Sequence, residues 1–355
     1  MSRKPARRGV APLAVKQGAI SMSKLPRVGV ILTGGTIDSV GADRLDLAWY
    51  IEAGKRLEKG ELLGQIPELG QIADVREIPF RRLPSQALTT SDWLDLVRTI
   101  HAIFEKGDVD GLVITHGTNT LEETAYFLNL TLNTDKPVVL VGAMRPSNAI
   151  SADGYLNILS AVRVAAAPQS RGMGCLVVMN DTIFGARDVT KTATYRVNAF
   201  QARDLGPLGY ADADGSVIFY HRPMKKHTVE TEFDVSTTQT LPRVDVVLSY
   251  VDADATMIDA AVRAGARGIV SASTGAGRPT PTQDDAFDAA YAKHGLLMCL
   301  TSRVGSGRIV RSPGLTKRGF VAGDNLLPWK ARILFALALS KTNDAADIQR
   351  MFDIY

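Results

Sequence analysis

The chain has 355 residues, 45% of them hydrophobic and 22% charged, with a formal net charge of +4. That composition excludes a largely disordered chain, and at roughly 150 residues per domain it predicts about two domains. The longest uninterrupted apolar runs, such as Ile333 to Leu339, fall far short of the ~20 residues a membrane span requires.

The charge is unevenly placed. Residues 1–27 carry Arg3, Lys4, Arg7, Arg8, Lys16, Lys24 and Arg27 and no acidic residue, whereas the rest of the chain holds 34 basic and 37 acidic residues. The basicity therefore belongs to a tail, read over 1–26 as a disordered extension rather than a nucleic-acid or lipid anchor. Its apolar stretch, Val10 to Ile20, is broken by Pro12, Lys16, Gln17 and Gly18, unlike the unbroken core of a secretory signal. Met22 offers a second start just before the first strand.

In chain order, short β-branched runs alternate with helical patterns. Val28–Leu32, Gly111–Thr115, Pro137–Gly142 and Cys175–Met179 read as buried parallel strands. Asp92–Phe104, Thr120–Leu130 and Asn157–Ala166 read as the helices between them. This alternation predicts an α/β fold around a parallel sheet. Residues 222–242 are polar, carry Pro223 and Pro242 near their ends, show no period, and read as a linker. Beyond it the rhythm resumes with Val244–Ser249, Gly268–Ser271 and Leu296–Leu300, closing on helices at Lys330–Ser340 and Ala345–Phe352. Cys175 and Cys299 both fall in apolar strand-like runs, which fits buried thiols in a reducing compartment. No metal-binding spacing appears among the five histidines and two cysteines.

Ligands of open α/β sheets bind beyond the carboxyl ends of the strands. Two such ends stand out. The first, Thr33-Gly34-Gly35-Thr36, offers hydroxyls on a glycine turn and is neither a Walker loop nor a dinucleotide fingerprint. The second is His116-Gly117-Thr118-Asn119-Thr120, with Thr120 and Glu123 at capping-box spacing. A helix starting there would place its positive end beside Thr118 and Asn119, where a carboxylate or a nascent oxyanion is stabilised. A third segment, Arg187-Asp188-Val189-Thr190-Lys191-Thr192, brings a lysine that a desolvated site would convert into a base.

Together these pieces resemble the bacterial-type L-asparaginase family of threonine amidohydrolases, over about Arg27 to Tyr355. TGGTI at 33–37 and ITHGTNTLEETAYFL at 114–128 resemble its two signatures. GAMRP at 142–146, SADG at 151–154, MNDT at 179–182, RDVTKT at 187–192 and GPLGY at 206–210 match in order. The resemblance implies a larger N-terminal parallel-sheet domain of flavodoxin-like, doubly wound type over 27–221 and a smaller C-terminal α/β domain over 243–355. It implies Thr36 as nucleophile, Tyr50 as its activating group, and Thr118 with Lys191 as a second pair assisting proton transfer. Tyr50 lies one residue further from Thr36 than the family spacing suggests, with Trp49 beside it. Ser85 and Gln86 would hold the substrate's α-carboxylate and α-amino group. The products would be L-aspartate and ammonia, with no cofactor, no metal, no nucleic acid and no membrane partner. The assembly would be a cytoplasmic homodimer or homotetramer with sites completed by the neighbouring subunit.

Two departures from the family pattern stand out. The second signature usually reads HGTDT, and here Asn119 replaces the aspartate that binds the substrate's ammonium. An acidic residue that many members place in the segment 305–314 aligns with Gly314. Asn119 accepts a hydrogen bond but supplies no charge. Asp252, in SYVDAD, is the proposed replacement, reaching the partner's site. Three other readings stand beside asparaginase: an amidase or glutaminase for another small amide; an attenuated amino-acid-binding homologue; and, disfavoured for want of an RNA-facing domain, the amidase subunit of a tRNA-dependent amidotransferase.

Overall fold

The computed structural model describes residues 24–355; residues 1–23, and with them most of the expected basic tail, lie outside the described residues. The strands are β1 (Arg27–Leu32), β2 (Asp74–Ile78), β3 (Gly111–Thr115), β4 (Val138–Val141), β5 (Cys175–Met179), β6 (Thr182–Gly185), β7 (Thr190–Lys191), β8 (Phe200–Gln201), β9 (Gly209–Ala211), β10 (Val217–Phe219), β11 (Val244–Leu248), β12 (Gly268–Ser273), β13 (Leu297–Ser302) and β14 (Phe320–Ala322). The helices are α1 (Tyr50–Ala53), α2 (Glu61–Gly64), α3 (Thr90–Glu105), α4 (Leu121–Thr131), α5 (Gly154–Ala166), α6 (Thr256–Arg263), α7 (Pro281–His294), α8 (Pro313–Lys317), α9 (Pro328–Leu339) and α10 (Ala345–Ile354).

Eight strands form the N-terminal sheet in the order β10-β9-β6-β5-β4-β3-β1-β2. From β2 to β5 every pairing is parallel, and β6, β9 and β10 extend the edge antiparallel. The parallel part thus has the order 2-1-3-4-5, the flavodoxin-like doubly wound arrangement, whose crevice opens between β1 and β3. The register pairs Leu32 with Thr115, so the loops after β1 and β3 leave the sheet at the same height. A second sheet, β11-β12-β13-β14, is parallel throughout. The molecule is therefore α/β, with a large and a small sheet and an antiparallel two-stranded ribbon, β7-β8.

β1, β3, β4 and β5 are buried along almost their whole length because helices cover both faces. On one face α5 packs through Ile158, Ala161 and Val162 against Val113 and Val139. On the other, α3 and α4 share a core with α9 of the small-sheet region, in which Tyr126 and Leu128 join Leu334 and Phe335. The small sheet's outer face carries Ile258 of α6 and Phe287 of α7. Residues 222–242 contain one short helical turn, Thr228–Glu230, and bury Phe233 against Tyr355, so this polar segment is fastened to the body.

Two expectations need correction. The capping box at the start of α4 does not form: the Thr120 side chain makes no cap bond and instead donates to the Ser85 carbonyl at 2.8 Å. Thr33 does not offer its hydroxyl to a ligand either. It is buried and donates to Thr115 O at 2.7 Å, tying β1 to β3. Both hydroxyls spend themselves on holding loops together.

Candidate active site

The turn after β1 and the turn after β3 meet at two glycines. Gly35 has φ 110°, and a Cβ built there would lie 2.5 Å from Gly117 Cα. Only a residue without a side chain permits this approach, and a left-handed backbone adds a second reason for glycine. A Cβ on Gly117 would in turn meet the Ser85 side chain at 2.7 Å. This contact brings Thr36, Thr118 and Ser85 to one wall of an open cleft of about 1370 Å³. The loop following Thr36 is anchored below by buried Asp38, which accepts from Arg82 Nε at 2.9 Å and faces Arg56 at 3.7 Å.

Two hydroxyl pairs face the cleft. Thr36 Oγ1 lies 2.9 Å from the Tyr50 hydroxyl. Tyr50 is 8% exposed and lines the cleft, whereas its neighbour Trp49 is 70% exposed and does not line it. Burial pushes the Tyr50 phenol above its ordinary value, and its hydrogen bond to Thr36 opposes that shift. The phenol is therefore protonated at neutral pH. In the second pair, Lys191 Nζ donates to Thr118 Oγ1 at 2.8 Å and to Asn119 Oδ1 at 3.4 Å. Asn119 Nδ2 donates onward to Gln86 Oε1 at 3.3 Å. Desolvation lowers the Lys191 ammonium from its usual range, and Glu122 pulls it back up.

The cleft thus gathers Thr36, Tyr50, Ser85, Gln86, Thr118, Asn119 and Lys191. It does not include Asp252, which sits exposed in the loop after β11 in a left-handed conformation (φ 68°). Within one chain Asp252 has no part in this cleft. Met144, held by backbone bonds from Met144 and Arg145 to the Asp153 carboxylate, completes the floor. Among the described residues no cluster of His, Cys, Asp and Glu is arranged to hold a metal.

Two residues that support the site carry no motif signal in the sequence. Glu122 lines the cleft from the first turn of α4, and its Oε1 accepts the Lys191 backbone N–H at 3.3 Å. Lys330, on α9, is 1% exposed and donates to the carbonyls of Ala186 (2.8 Å), Arg187 (2.9 Å) and Val189. These carbonyls belong to the turn that leads into Lys191. Burial draws the Lys330 ammonium down to about 8, so it remains charged at neutral pH. Both were visible only as charged residues in apolar helix starts, Leu121-Glu122-Glu123 and Pro328-Trp329-Lys330.

The crevice of this flavodoxin-like sheet thus presents two hydroxyls, one beside a phenol and one beside a desolvated lysine, the kinds of group that nucleophilic acyl transfer calls for. Comparison with known proteins gives the family. Residues 27–225 match the asparaginase N-terminal family and residues 243–352 the glutaminase/asparaginase C-terminal domain. An L-asparaginase 2 of Escherichia coli is 43% identical over 93% of this chain and 94% of its own. A glutaminase-asparaginase of Pseudomonas fluorescens is 41% identical over 93% and 91%. A crystal structure described as a probable cytoplasmic L-asparaginase from Campylobacter jejuni superposes with TM-score 0.84 at 39% identity, over 93% of this chain and 100% of that one. The chain belongs to the asparaginase family and is an amidohydrolase.

Proposed function

We propose that the protein hydrolyses the side-chain amide of L-asparagine to L-aspartate and ammonia through a threonine nucleophile. The observation that carries this is the pair of short contacts, Thr36–Tyr50 at 2.9 Å and Lys191–Thr118 at 2.8 Å, on one wall of one cleft. Thr36 Oγ1 attacks the amide carbon. Its proton passes to the Tyr50 oxygen as the phenol proton passes to the departing nitrogen, so ammonia leaves and Tyr50 ends as it began. A water then attacks the threonine ester. Neutral Lys191, acting through Thr118, takes the water's proton and returns one to Thr36 as the ester bond breaks. Burial of Lys191 favours that neutral form.

Ser85, Gln86 and Asn119 hold the substrate's α-carboxylate and α-amino group and so fix the amide against Thr36. Asp252 completes the partner's site in a homodimer or homotetramer. The neutral Asn119 favours a second reading, an amidase or glutaminase for a small amide that makes less use of the ammonium. The two buried free thiols, and the description of the Campylobacter relative, support a cytoplasmic location. The organisation proposed is 27–221 and 243–355 as two domains, joined through 222–242.

The test is ammonia release from L-asparagine, L-glutamine and D-asparagine beside Thr36→Ala. L-asparagine turnover that falls by more than about 10³-fold in the variant supports the reading. Unchanged turnover in Thr36→Ala removes the nucleophile assignment. Turnover confined to another amide selects the second reading.

A further inference from the structure

The second hydroxyl pair works only if Lys191 can shed its proton near neutral pH and still hold its place. The other side chain its ammonium touches besides Thr118, Asn119, is neutral. We propose that Glu122 is the positioning carboxylate of the Lys191–Thr118 pair, and that it does from within the chain what the uncharged Asn119 cannot do. This rests on the assignment of Lys191 and Thr118 to the hydrolytic step.

Glu122 is 5% exposed, and its two oxygens have different fates. Oε1 accepts the Lys191 backbone N–H at 3.3 Å, fixing the strand that carries the lysine. Oε2 is buried and has no hydrogen-bond partner. An unpaired carboxylate oxygen inside a protein is costly unless an opposite charge nearby offsets it. Two lysines do so: Lys191 and Lys330 both feel the Glu122 charge. Lys330 is already committed to three carbonyls, which leaves Lys191 as the ammonium whose proton Glu122 controls.

The other charged groups around Lys191 do not take this role. Glu123, on the same turn of α4, interacts with Arg332 and Lys330 of α9 and with Glu122. On the lysine's own loop, Asp188 pairs with Arg187 at 3.2 Å. Tyr195, Arg196 and Arg56 line the cleft without bringing a negative charge, and Tyr50 is a protonated phenol. Among the described residues Glu122 is the carboxylate acting on Lys191. It raises the lysine's proton affinity against the desolvation that lowers it. The balance between these two opposing effects sets where on the pH axis the base becomes available.

The experiment is the pH dependence of kcat and KM for L-asparagine in the wild-type enzyme and in Glu122→Gln, Glu122→Asp, Asn119→Asp and the double variant Glu122→Gln/Asn119→Asp. Glutamine keeps an oxygen for the Lys191 N–H and removes only the charge. The acid limb of kcat, where protonation of Lys191 removes the base, is expected to move to lower pH by about half a pH unit or more in Glu122→Gln, because a nearby opposite charge favours the charged form. Glu122→Asp should keep the limb near the wild-type position, and Asn119→Asp should return it in the double variant. A kcat lowered equally at every pH, with the limb unmoved, means a purely structural residue and overturns the proposal. Should Glu122→Gln fail to fold, Asn119→Asp alone decides: its added carboxylate must move the limb to higher pH, and an unmoved limb overturns the electrostatic argument. Full turnover in Lys191→Ala would instead sink the catalytic assignment of the lysine, a different failure with a different signature.

Discussion

His116 closes β3 inside the protein, 1% exposed, with Nδ1 against the Gly117 carbonyl at 2.8 Å and Nε2 without a partner. Burial pushes its imidazole from an ordinary value of 6.5 down to about 4. The folded protein therefore holds it neutral, while the unfolded chain protonates it over the interval between those two values. Where the unfolded state binds more protons, stability falls as pH falls, so the contribution is intact above 6.5 and is lost progressively down to 4. The full loss amounts to about 3 kcal/mol, and about 2 kcal/mol of it is already gone at pH 5. The assay is urea unfolding of wild type and His116→Gln at pH 7 and pH 5, at one fixed protomer concentration because the assembly state enters the equilibrium. Glutamine does not titrate, and every other acid-sensitive group is common to both proteins. The wild type should lose about 2 kcal/mol more than the variant between these pH values. Equal losses, within about 0.5 kcal/mol, would refute the claim that this histidine is buried neutral.

Gly35→Ala should reduce kcat/KM by about 10²-fold or more, because a Cβ 2.5 Å from Gly117 Cα must displace the Thr36 turn; near wild-type kinetics would show that the two loops can part. Lys330→Met leaves the carbonyls of Ala186, Arg187 and Val189 without their buried donor, so thermal or urea unfolding should show a loss of about 3–5 kcal/mol. A loss under about 1 kcal/mol would mean that water replaces the ammonium. Asp252→Asn should raise KM for L-asparagine severalfold with kcat little changed, and an unmoved KM would assign Asp252 to its own loop alone.

The central strands were legible because burial on both faces leaves an unbroken β-branched signature. Val28–Leu32, Gly111–Thr115 and Cys175–Met179 appear within a residue of the expected bounds. β2 was not, since Asp74-Val75-Arg76-Glu77-Ile78 is an edge strand whose exposed positions carry charges. The antiparallel edge of β6, β9 and β10 is built from runs of three or four residues, too short to carry a period. α7 spreads small and apolar residues, Ala286 to Ala292, among acidic ones and shows no stripe. Within the cleft, the threonines and Lys191 were legible as motif residues on turns. Glu122 and Lys330 were not, because a charged side chain in a helix ordinarily faces water, and only packing from a distant element reverses that. The failed capping box has a similar cause. Thr120 has the right spacing, yet a carbonyl 35 residues earlier competes for its hydroxyl.

The contact between Gly35 and Gly117 has an evolutionary consequence. It welds Thr36 and Thr118, the proposed attacking-side hydroxyls, to the paired central strands β1 and β3, whereas the groups proposed to carry their protons arrive on separate excursions of chain. Tyr50 comes from a four-residue helix and Lys191 from a two-residue strand. Substitutions accumulating in those excursions can retune proton delivery, and with it the working pH or the preferred amide, while the geometry of attack is inherited unchanged. Innovation in this scaffold is expected at residues 41–59 and 187–196, and conservatism at the paired glycines.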